Sequence, residues 1–158
     1  MLHLKILFMI LSTTLSTHSV LDKPVNVNPT ENAIIINTED ASDDISRKDI
    51  ELIALVTMAE AEGESEYGKR LVIDTILNRM DSDIWPDTAS EVIYQPSQFS
   101  SMWNGRVDRC YVSDDICDLV MDEINNRTNY DVVFFTAGAY GKYGTPMFQV
   151  GNHYFASY

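Results

Sequence analysis

Two successive helical segments, separated by one glycine, constrain the fold of this 158-residue chain more than any other sequence feature. Ser46 followed by Asp49 is an N-cap pattern, and apolar residues then recur at helical spacing. Gly63 is expected to end this helix, and Ser65 to begin a second one that ends near Met80. The pattern predicts two amphipathic helices in direct succession.

Shorter elements are predicted in the second half of the chain. Thr88 and Glu91 repeat the capping pattern before a short helix, and Ser113 precedes a longer one. Two β-prone runs, residues 132–135 and 154–155, flank a loop rich in glycine and tyrosine. The pattern therefore predicts a helix-rich α+β domain with a small β-sheet at its C-terminal end.

The first 45 residues differ in composition from the rest. One cation, Lys5, precedes a short apolar run, and small polar residues follow, as in a secretory signal peptide. The run is too short to span a bilayer of about 30 Å comfortably, so no integral membrane span is expected after signal cleavage. We expect residues 1–19 to be a signal peptide, 20–45 an acidic linker and 46–158 an exported domain, in the cell wall or periplasm. An uncleaved or buried N-terminal helix is the alternative.

The charge balance excludes several classes of protein. The formal net charge is -13, and no cluster of Lys and Arg could neutralise phosphates, so nucleic acid is not an expected partner. The same charge would repel any polyanionic partner at long range, although screening within about 10 Å leaves a close-fitting groove largely unaffected. A hydrophobic content of 45% is enough for one core, and we expect a monomer without a cofactor.

Two cysteines, Cys110 and Cys117, leave several interpretations open. An exported protein could pair them across a short loop, and two buried free thiols are equally compatible with the sequence. A zinc site is not expected, because no pair of histidines lies nearby. Cys110 acting as a nucleophile with His153, as in a cysteine amidase, is a further alternative.

Glu60 has the position expected of a catalytic acid. It follows Ile53 by seven residues and therefore lies on the core-facing side of the first helix, whereas Glu62 is turned toward solvent and Glu64 lies beyond the helix. Burial, the negative end of the helix dipole and the neighbouring acids all favour the protonated form of Glu60. Such an acid can protonate a glycosidic oxygen. The alternative partners of this carboxyl are Arg70, Arg79 or a backbone donor.

Several residue strings, in matching order and spacing, resemble the catalytic domain of spore cortex-lytic enzymes and related cell wall hydrolases. The similarity spans nearly all of residues 48–158. The strings are Ala59-Glu60-Ala61-Glu62-Gly63-Glu64, Asn78-Arg79, Trp85-Pro86-Asp87-Thr88, Val92-Ile93-Tyr94-Gln95-Pro96-Ser97-Gln98-Phe99-Ser100, and Gly151-Asn152-His153-Tyr154-Phe155.

The resemblance implies a lysozyme-like fold, bacterial or phage origin, and one essential glutamate, which corresponds to Glu60. It also implies a reaction like that of lytic transglycosylases, in which one carboxyl protonates the glycosidic oxygen and then deprotonates the muramic acid 6-hydroxyl. This chain departs from the family in having Glu62 where a basic residue is usual, and it has no obvious wall-binding repeat.

Six further side chains are expected to contact sugar. An extended segment after the short helix would present an amide and a hydroxyl to acetamido groups, and aromatic rings could stack on sugar rings. The alternative is a structural role, most of all for the aromatic and histidine side chains. The six are Tyr94, Gln98, Phe99, Ser100, Trp103 and His153.

The leading hypothesis is a peptidoglycan-degrading glycosidase, either a lytic transglycosylase or a muramidase. It would cleave the glycan strand between N-acetylmuramic acid and N-acetylglucosamine, with Glu60 as its catalytic residue. The alternative is a secreted, non-catalytic wall-binding or assembly module with the same fold.

Overall fold

The computed structural model describes residues 45–158, so the predicted signal peptide and residues 20–44 of the predicted linker lie outside the described residues. The described part contains helices and one small sheet, as an α+β domain requires. Its helices are α1 (Arg47–Ala61), α2 (Glu66–Met80), α3 (Ala89–Ile93) and α4 (Asp114–Asn125), with 3-10 turns at Ser100–Met102 and Val107–Arg109. Its strands are β1 (Phe134–Ala137), β2 (Thr145–Val150) and β3 (His153–Ser157).

Capping side chains begin three of the helices at the predicted residues. Ser46, Ser65 and Thr88 each accept a hydrogen bond of 3.2 Å from the backbone N–H three residues further on. These bonds satisfy amides that have no partner within the helix. Ser113 precedes α4 as predicted, but its side chain makes no capping bond.

Helix α1 lies at the centre of the helical core and packs against α2, α3 and α4. Burying each large aliphatic or aromatic side chain contributes roughly 1.5–3 kcal/mol, so this core is the main source of stability. Its fully buried members include Ile53, Val56, Ile73, Ile76, Val92, Ile93, Phe99 and Val120.

The sheet is antiparallel, with strand order β1-β3-β2. Strand β2 was not predicted, and β1 begins at Phe134, two residues later than the predicted run. A register shift between Pro146 and Phe148 interrupts the β2–β3 pairing. On β3, Phe155 is fully buried in a small core with Leu71 of α2, which fixes the sheet against the helices.

Two buried carboxyls connect α2 to α4 and to the loop that leads into β1. Glu123 accepts hydrogen bonds from Arg70 Nη1 (2.7 Å), Thr128 N (2.5 Å) and Thr128 Oγ1 (2.9 Å). Asp74 accepts one from Asn129 N (2.8 Å). Both acids are fully buried, so this cluster holds residues 128–129 in place.

The pKa values of the two carboxyls are shifted in opposite directions. Burial raises the pKa of Asp74 to about 8, and its hydrogen bond with Glu123 and the Glu123 charge act in the same direction. Burial alone would raise the pKa of Glu123, but hydrogen bonds from Arg70, Asp74 and Thr128 outweigh it and lower that pKa. Asp74 therefore carries the proton, and its Oδ1 atom has no donor within residues 45–158, which fits that assignment.

Candidate active site

A cleft of about 350 Å³ lies between the C-terminal end of α1, the turn at residues 97–100 and the sheet. Helix α1 brings an acid to this cleft, the turn brings an amide and hydroxyls, and β1 and β3 bring aromatic and imidazole rings. Among its lining residues are Glu60, Arg79, Ser97, Gln98, Phe99, Ser100, Phe135, Thr136, Tyr143, His153 and Tyr154.

Glu60 lies in the last turn of α1 and is half-buried at the cleft. Its Oε1 atom accepts hydrogen bonds from Ser101 Oγ (2.5 Å) and Ser101 N (3.3 Å). Within residues 45–158, no protein group bonds to Oε2. One oxygen is thus held by the protein while the other is available to a ligand.

The arginines that were alternative partners of Glu60 bond elsewhere. Arg70 pairs with Glu66, Asp122 and Glu123. Arg79 donates from Nε to Val133 O (2.8 Å) and from Nη1 to Gln98 Oε1 (3.1 Å). Among residues 45–158, the one backbone donor to Glu60 is the amide of Ser101, which belongs to a 3-10 turn rather than to the end of α1.

The other two acids of the motif occupy different environments. Glu62 is exposed, as predicted, and pairs with Arg106 at 3.2 Å. Arg106 also donates from Nε to the carbonyl of Ala59, so it caps the C-terminal end of α1 beside Glu60. Glu64 lies beyond the helix and accepts from the amide of Asn152, at 3.2 and 3.4 Å to its two oxygens.

Arg79 forms part of the cleft floor as a buried cation without a carboxylate partner among the described residues. Its guanidinium lies 4.4 Å from the centroid of the Trp85 ring and 5.4 Å from that of Phe99. Burial lowers the pKa of Arg79 to about 10, so it is still cationic at pH 7. Its bond to Gln98 Oε1 leaves the Gln98 amide nitrogen free to donate to a ligand.

The segment at residues 97–100 is a turn, and the prediction of an extended segment is wrong. Gln98 N donates to Gln95 O at 3.2 Å and closes a turn over residues 95–98, in which Ser97 has φ of 65°. Ser100 then begins the 3-10 turn Ser100–Met102. Gln98 and Ser100 are exposed at the cleft, whereas Phe99 is only 1% exposed and belongs to the core beneath it. Phe99 thus takes the structural alternative, with little surface left for a ligand.

Ser101 is the site residue that sequence reasoning missed. It is 2% exposed and holds Glu60 through both its hydroxyl and its amide. It directly follows the Gln98-Phe99-Ser100 string, but nothing in the sequence distinguishes it from Ser100. Only the folded position of the 3-10 turn against α1 separates the two serines.

His153 is the first residue of β3 and is buried at the cleft wall, with its ring 5.0 Å from that of Phe135. Burial lowers its pKa, although the negative charges of Glu64 and Glu60 act in the opposite direction. The ring is therefore neutral at pH 7. Its Nδ1 atom has no hydrogen-bond partner within residues 45–158.

Tyr94 and Trp103 lie in a second cavity, of about 580 Å³, beside the first. The two cavities meet at Ser97 and Ser100, which line both. Trp103 is 62% exposed, and its ring meets that of Tyr94 edge to face at 5.9 Å. These two aromatics are thus surface residues, as their predicted role requires, although that role stays a prediction.

The cysteines contribute nothing to the cleft. Cys110 and Cys117 are free thiols, and Cys110 Sγ donates to the carbonyl of Arg106 at 3.5 Å. Cys110 lies outside the lining of the cleft that contains His153, so the Cys110–His153 pairing is wrong.

Within residues 45–158, no three His, Cys, Asp or Glu side chains lie close enough together to hold a metal ion. The helices in the same range are too short or too polar to span a bilayer.

Comparison with known proteins identifies the family. The sequence profile described as Cell Wall Hydrolase matches residues 63–156. This chain belongs to the cell wall hydrolase family. Because the match begins at Gly63, it leaves out Glu60. The catalytic role of Glu60 therefore stays a prediction, which is supported by the cleft geometry and by the resemblance of its motif.

Curated relatives of this cell wall hydrolase are named spore cortex-lytic enzymes. The protein from Oceanobacillus iheyensis is 38% identical over 80 residues, covering 51% of this chain and 29% of the relative. The Bacillus subtilis protein is 28% identical over 116 residues, covering 70% of this chain and 38% of the relative. The chain therefore spans under two fifths of the length of these relatives.

Two solved structures share the fold of this cell wall hydrolase. The catalytic domain of the Bacillus cereus SleB protein aligns with a TM-score of 0.65 and 26% identity, over 73% of this chain and 94% of that domain. The catalytic domain of the germination-specific lytic transglycosylase SleB from Bacillus anthracis gives 0.62 and 26%, over 73% and 99%. The predicted helix-rich, lysozyme-like α+β fold is confirmed.

Proposed function

We propose that this cell wall hydrolase is a lytic transglycosylase that cleaves the peptidoglycan glycan strand between N-acetylmuramic acid and N-acetylglucosamine. The observation that carries the proposal is the solitary carboxyl of the cleft: Glu60 is the only Asp or Glu in its lining within residues 45–158. The relatives' names, spore cortex-lytic enzyme and lytic transglycosylase, support the same reaction.

Glu60 acts twice in this reaction. Its protonated carboxyl gives a proton to the glycosidic oxygen, the bond from that oxygen to muramyl C1 breaks, and positive charge develops at C1. The resulting carboxylate takes the proton from the muramyl 6-hydroxyl, whose oxygen bonds to C1 and closes a 1,6-anhydro ring. Glu60 gives up one proton and takes one back, so the reaction requires no second carboxylate and consumes no water.

Most glycosidases that hydrolyse their substrate use a second carboxyl, which this cleft does not supply from the described residues. Retaining glycosidases hold two carboxyl groups about 5–5.5 Å apart, and inverting ones about 6.5–9.5 Å apart. The acids nearest in sequence, Glu62 and Glu64, bond to Arg106 and to the Asn152 amide and do not line the cleft. Because both of these carboxylates are bonded outside the cleft, the site favours transglycosylation over hydrolysis.

Neutral polar groups around Glu60 suit an uncharged amino sugar. The free amide nitrogen of Gln98 and the hydroxyl of Ser100 can bond acetamido or ring hydroxyl groups. Neutral His153 offers an acceptor or a donor from the opposite wall. Tyr94 and Trp103 provide ring surface in the adjoining cavity.

We also propose that the protein acts as a monomer outside the cytoplasm, where peptidoglycan is found. Export by a signal peptide at residues 1–19 is part of this proposal. Its biological setting is remodelling of the cell wall or spore cortex, or phage lysis.

The test is lysis of purified peptidoglycan by matched glutamine variants. Glu60→Gln removes the acid without changing its size, and Glu62→Gln removes a carboxyl two residues away that does not line the cleft. We expect the first variant to lose activity at least 1,000-fold and the second to retain it, both with unchanged circular dichroism. Wild-type activity in Glu60→Gln would refute the proposal, and binding to sacculi without solubilisation by the wild-type protein would favour a non-catalytic module.

A further inference from the structure

The cleft contains a single fixed positive charge among the described residues, the guanidinium of Arg79. Arg79 is 4% exposed, and no Asp or Glu side chain of residues 45–158 forms an ion pair with it. His153, the other basic side chain of the lining, is neutral at pH 7 because burial lowers its pKa. Although the protein has a net charge of -13, its cleft therefore holds an isolated cation.

The contacts of Arg79 do not compensate for its loss of hydration. Nε donates to Val133 O at 2.8 Å and Nη1 to Gln98 Oε1 at 3.1 Å, and both acceptors are uncharged. The Trp85 ring, with its centroid 4.4 Å from the guanidinium carbon, adds a cation–π contact that is weaker than the cost of burying an unpaired ion. Burial accordingly lowers the pKa of Arg79 to about 10.

One nitrogen of this guanidinium is left for a ligand. Within residues 45–158, Nη2 of Arg79 makes no hydrogen bond to protein, and Arg79 lines the cleft. The other two nitrogens hold the group in place, and it is already desolvated, so an anion that binds there need not strip its water or fix its rotamer. A preorganised, planar donor of this kind matches a carboxylate in both shape and charge.

The proposed substrate carries carboxylates on only one of its two sugars. N-acetylglucosamine is uncharged, whereas N-acetylmuramic acid bears a lactyl group whose carboxyl is either free or linked to an amino acid. In the linked form, the carboxylate lies at the end of the attached amino acid or peptide. Apart from Glu60 and Arg79, the residues that line the cleft are uncharged at pH 7, so Arg79 is the group there that can attract an anion.

We propose that Arg79 binds a carboxylate carried by the lactyl group of N-acetylmuramic acid, either the lactyl carboxylate itself or that of an attached amino acid. This inference rests on the proposed function, because it names the group of the glycan strand that the cleft recognises. The cleft then distinguishes a muramyl strand from chitin, which consists of N-acetylglucosamine alone and has no carboxylate.

Calorimetric binding of three matched tetrasaccharides to the Glu60→Gln protein tests the site without cleavage. All three alternate N-acetylglucosamine and N-acetylmuramic acid, with lactyl carboxyls that are free, linked to L-alanine, or converted to the neutral methylamide. We expect one of the two anionic ligands to bind about 10- to 150-fold more tightly than the methylamide, the value of a hydrogen bond to a charged group. The tighter one identifies the source of the carboxylate. Equal affinity for all three would overturn the proposal.

Variants of Arg79 in the same background show whether this residue is responsible. Arg79→Met has a similar length and no charge, and it should bind the anionic and neutral ligands equally well. Arg79→Gln keeps one donor for Val133 O and serves the same purpose if circular dichroism shows that Arg79→Met is unfolded. The control is Arg109→Met, which removes an exposed arginine outside the cleft and should keep the full preference for the anionic ligand.

A folded Arg79→Met or Arg79→Gln protein that keeps the full preference would overturn the assignment to Arg79. These binding measurements do not depend on catalysis. Failure of the wild-type enzyme to cleave peptidoglycan would refute the proposed function, whereas the comparison of the three ligands would still decide the carboxylate site.

Discussion

Replacing Asp74 by asparagine should make the protein more stable at alkaline pH. Asp74 is fully buried, and its pKa is raised to about 8 by burial, by its hydrogen bond with Glu123 and by the Glu123 charge. The charge of Arg127 and the bond from Asn129 N oppose this only in part. Asparagine keeps an acceptor for the Asn129 amide and supplies a permanent donor to Glu123, without any proton to lose.

The sign and the size follow from proton linkage. Between its ordinary value of 3.8 and about 8, the folded protein holds a proton on Asp74 that the unfolded chain has released. The stabilisation from this group is complete below pH 3.8 and falls as pH rises, by up to tenfold in the folding equilibrium per pH unit. Over the three units from pH 5 to 8, the loss is roughly 4 kcal/mol at most.

Urea unfolding followed by tryptophan fluorescence, from pH 5 to pH 9, measures this difference. We expect the free energy of unfolding of Asp74→Asn to rise relative to wild type up to about pH 8 and then to level off. Glu123→Gln is the control, because it leaves Arg70 without its buried partner and should destabilise the protein at every pH. A difference between Asp74→Asn and wild type that does not vary with pH would refute the raised pKa of Asp74.

Three further substitutions test the site and its frame. Ser101→Ala removes a 2.5 Å hydrogen bond to Glu60. We expect kcat to fall about 10- to 150-fold, which is the value of one hydrogen bond to a charged group. The control, Ser90→Ala on the exposed side of α3, should leave kcat unchanged. Gly151→Ala would place a Cβ atom 1.7 Å from Glu64 Oε2, at a backbone φ of 56°. The melting temperature should therefore fall. An unchanged melting temperature would contradict the tight turn between β2 and β3. In Arg79→Lys, the lysine cannot donate to both Val133 O and Gln98 Oε1 as the arginine does. We expect KM, measured by steady-state kinetics, to rise. An unaltered KM would show that substrate binding does not depend on the bond from Arg79 to Gln98.

The helices were predictable because their signals are local. Ser46, Ser65 and Thr88 each cap an amide three residues away, and such short-range bonds can be inferred from residue type and spacing. The position of Glu60 on α1 followed from helical periodicity in the same way. The half-buried environment of Glu60 at the cleft depends on the sheet and on the 97–100 turn, and helical periodicity predicts neither.

The sheet and the cleft wall were less predictable because they depend on distant pairings. Strand β2 has no fully buried residue, contains Pro146 and has an irregular register, so it lacks the alternating pattern of a half-buried strand. Ser101 acts on Glu60 from 41 positions away, and no local pattern indicates that contact. Phe99 and Ser100 were given one common role, but the turn buries the first and exposes the second.

Mass spectrometry of the muropeptides released from peptidoglycan tests the single-carboxyl mechanism most directly. Transglycosylation by Glu60 alone predicts soluble products that end in 1,6-anhydromuramic acid, each lighter by one water than a hydrolysis product. The same digestion with Glu60→Gln should release none of them. The mechanism would be contradicted if the wild-type enzyme released products with reducing ends and if this release depended on a second carboxyl.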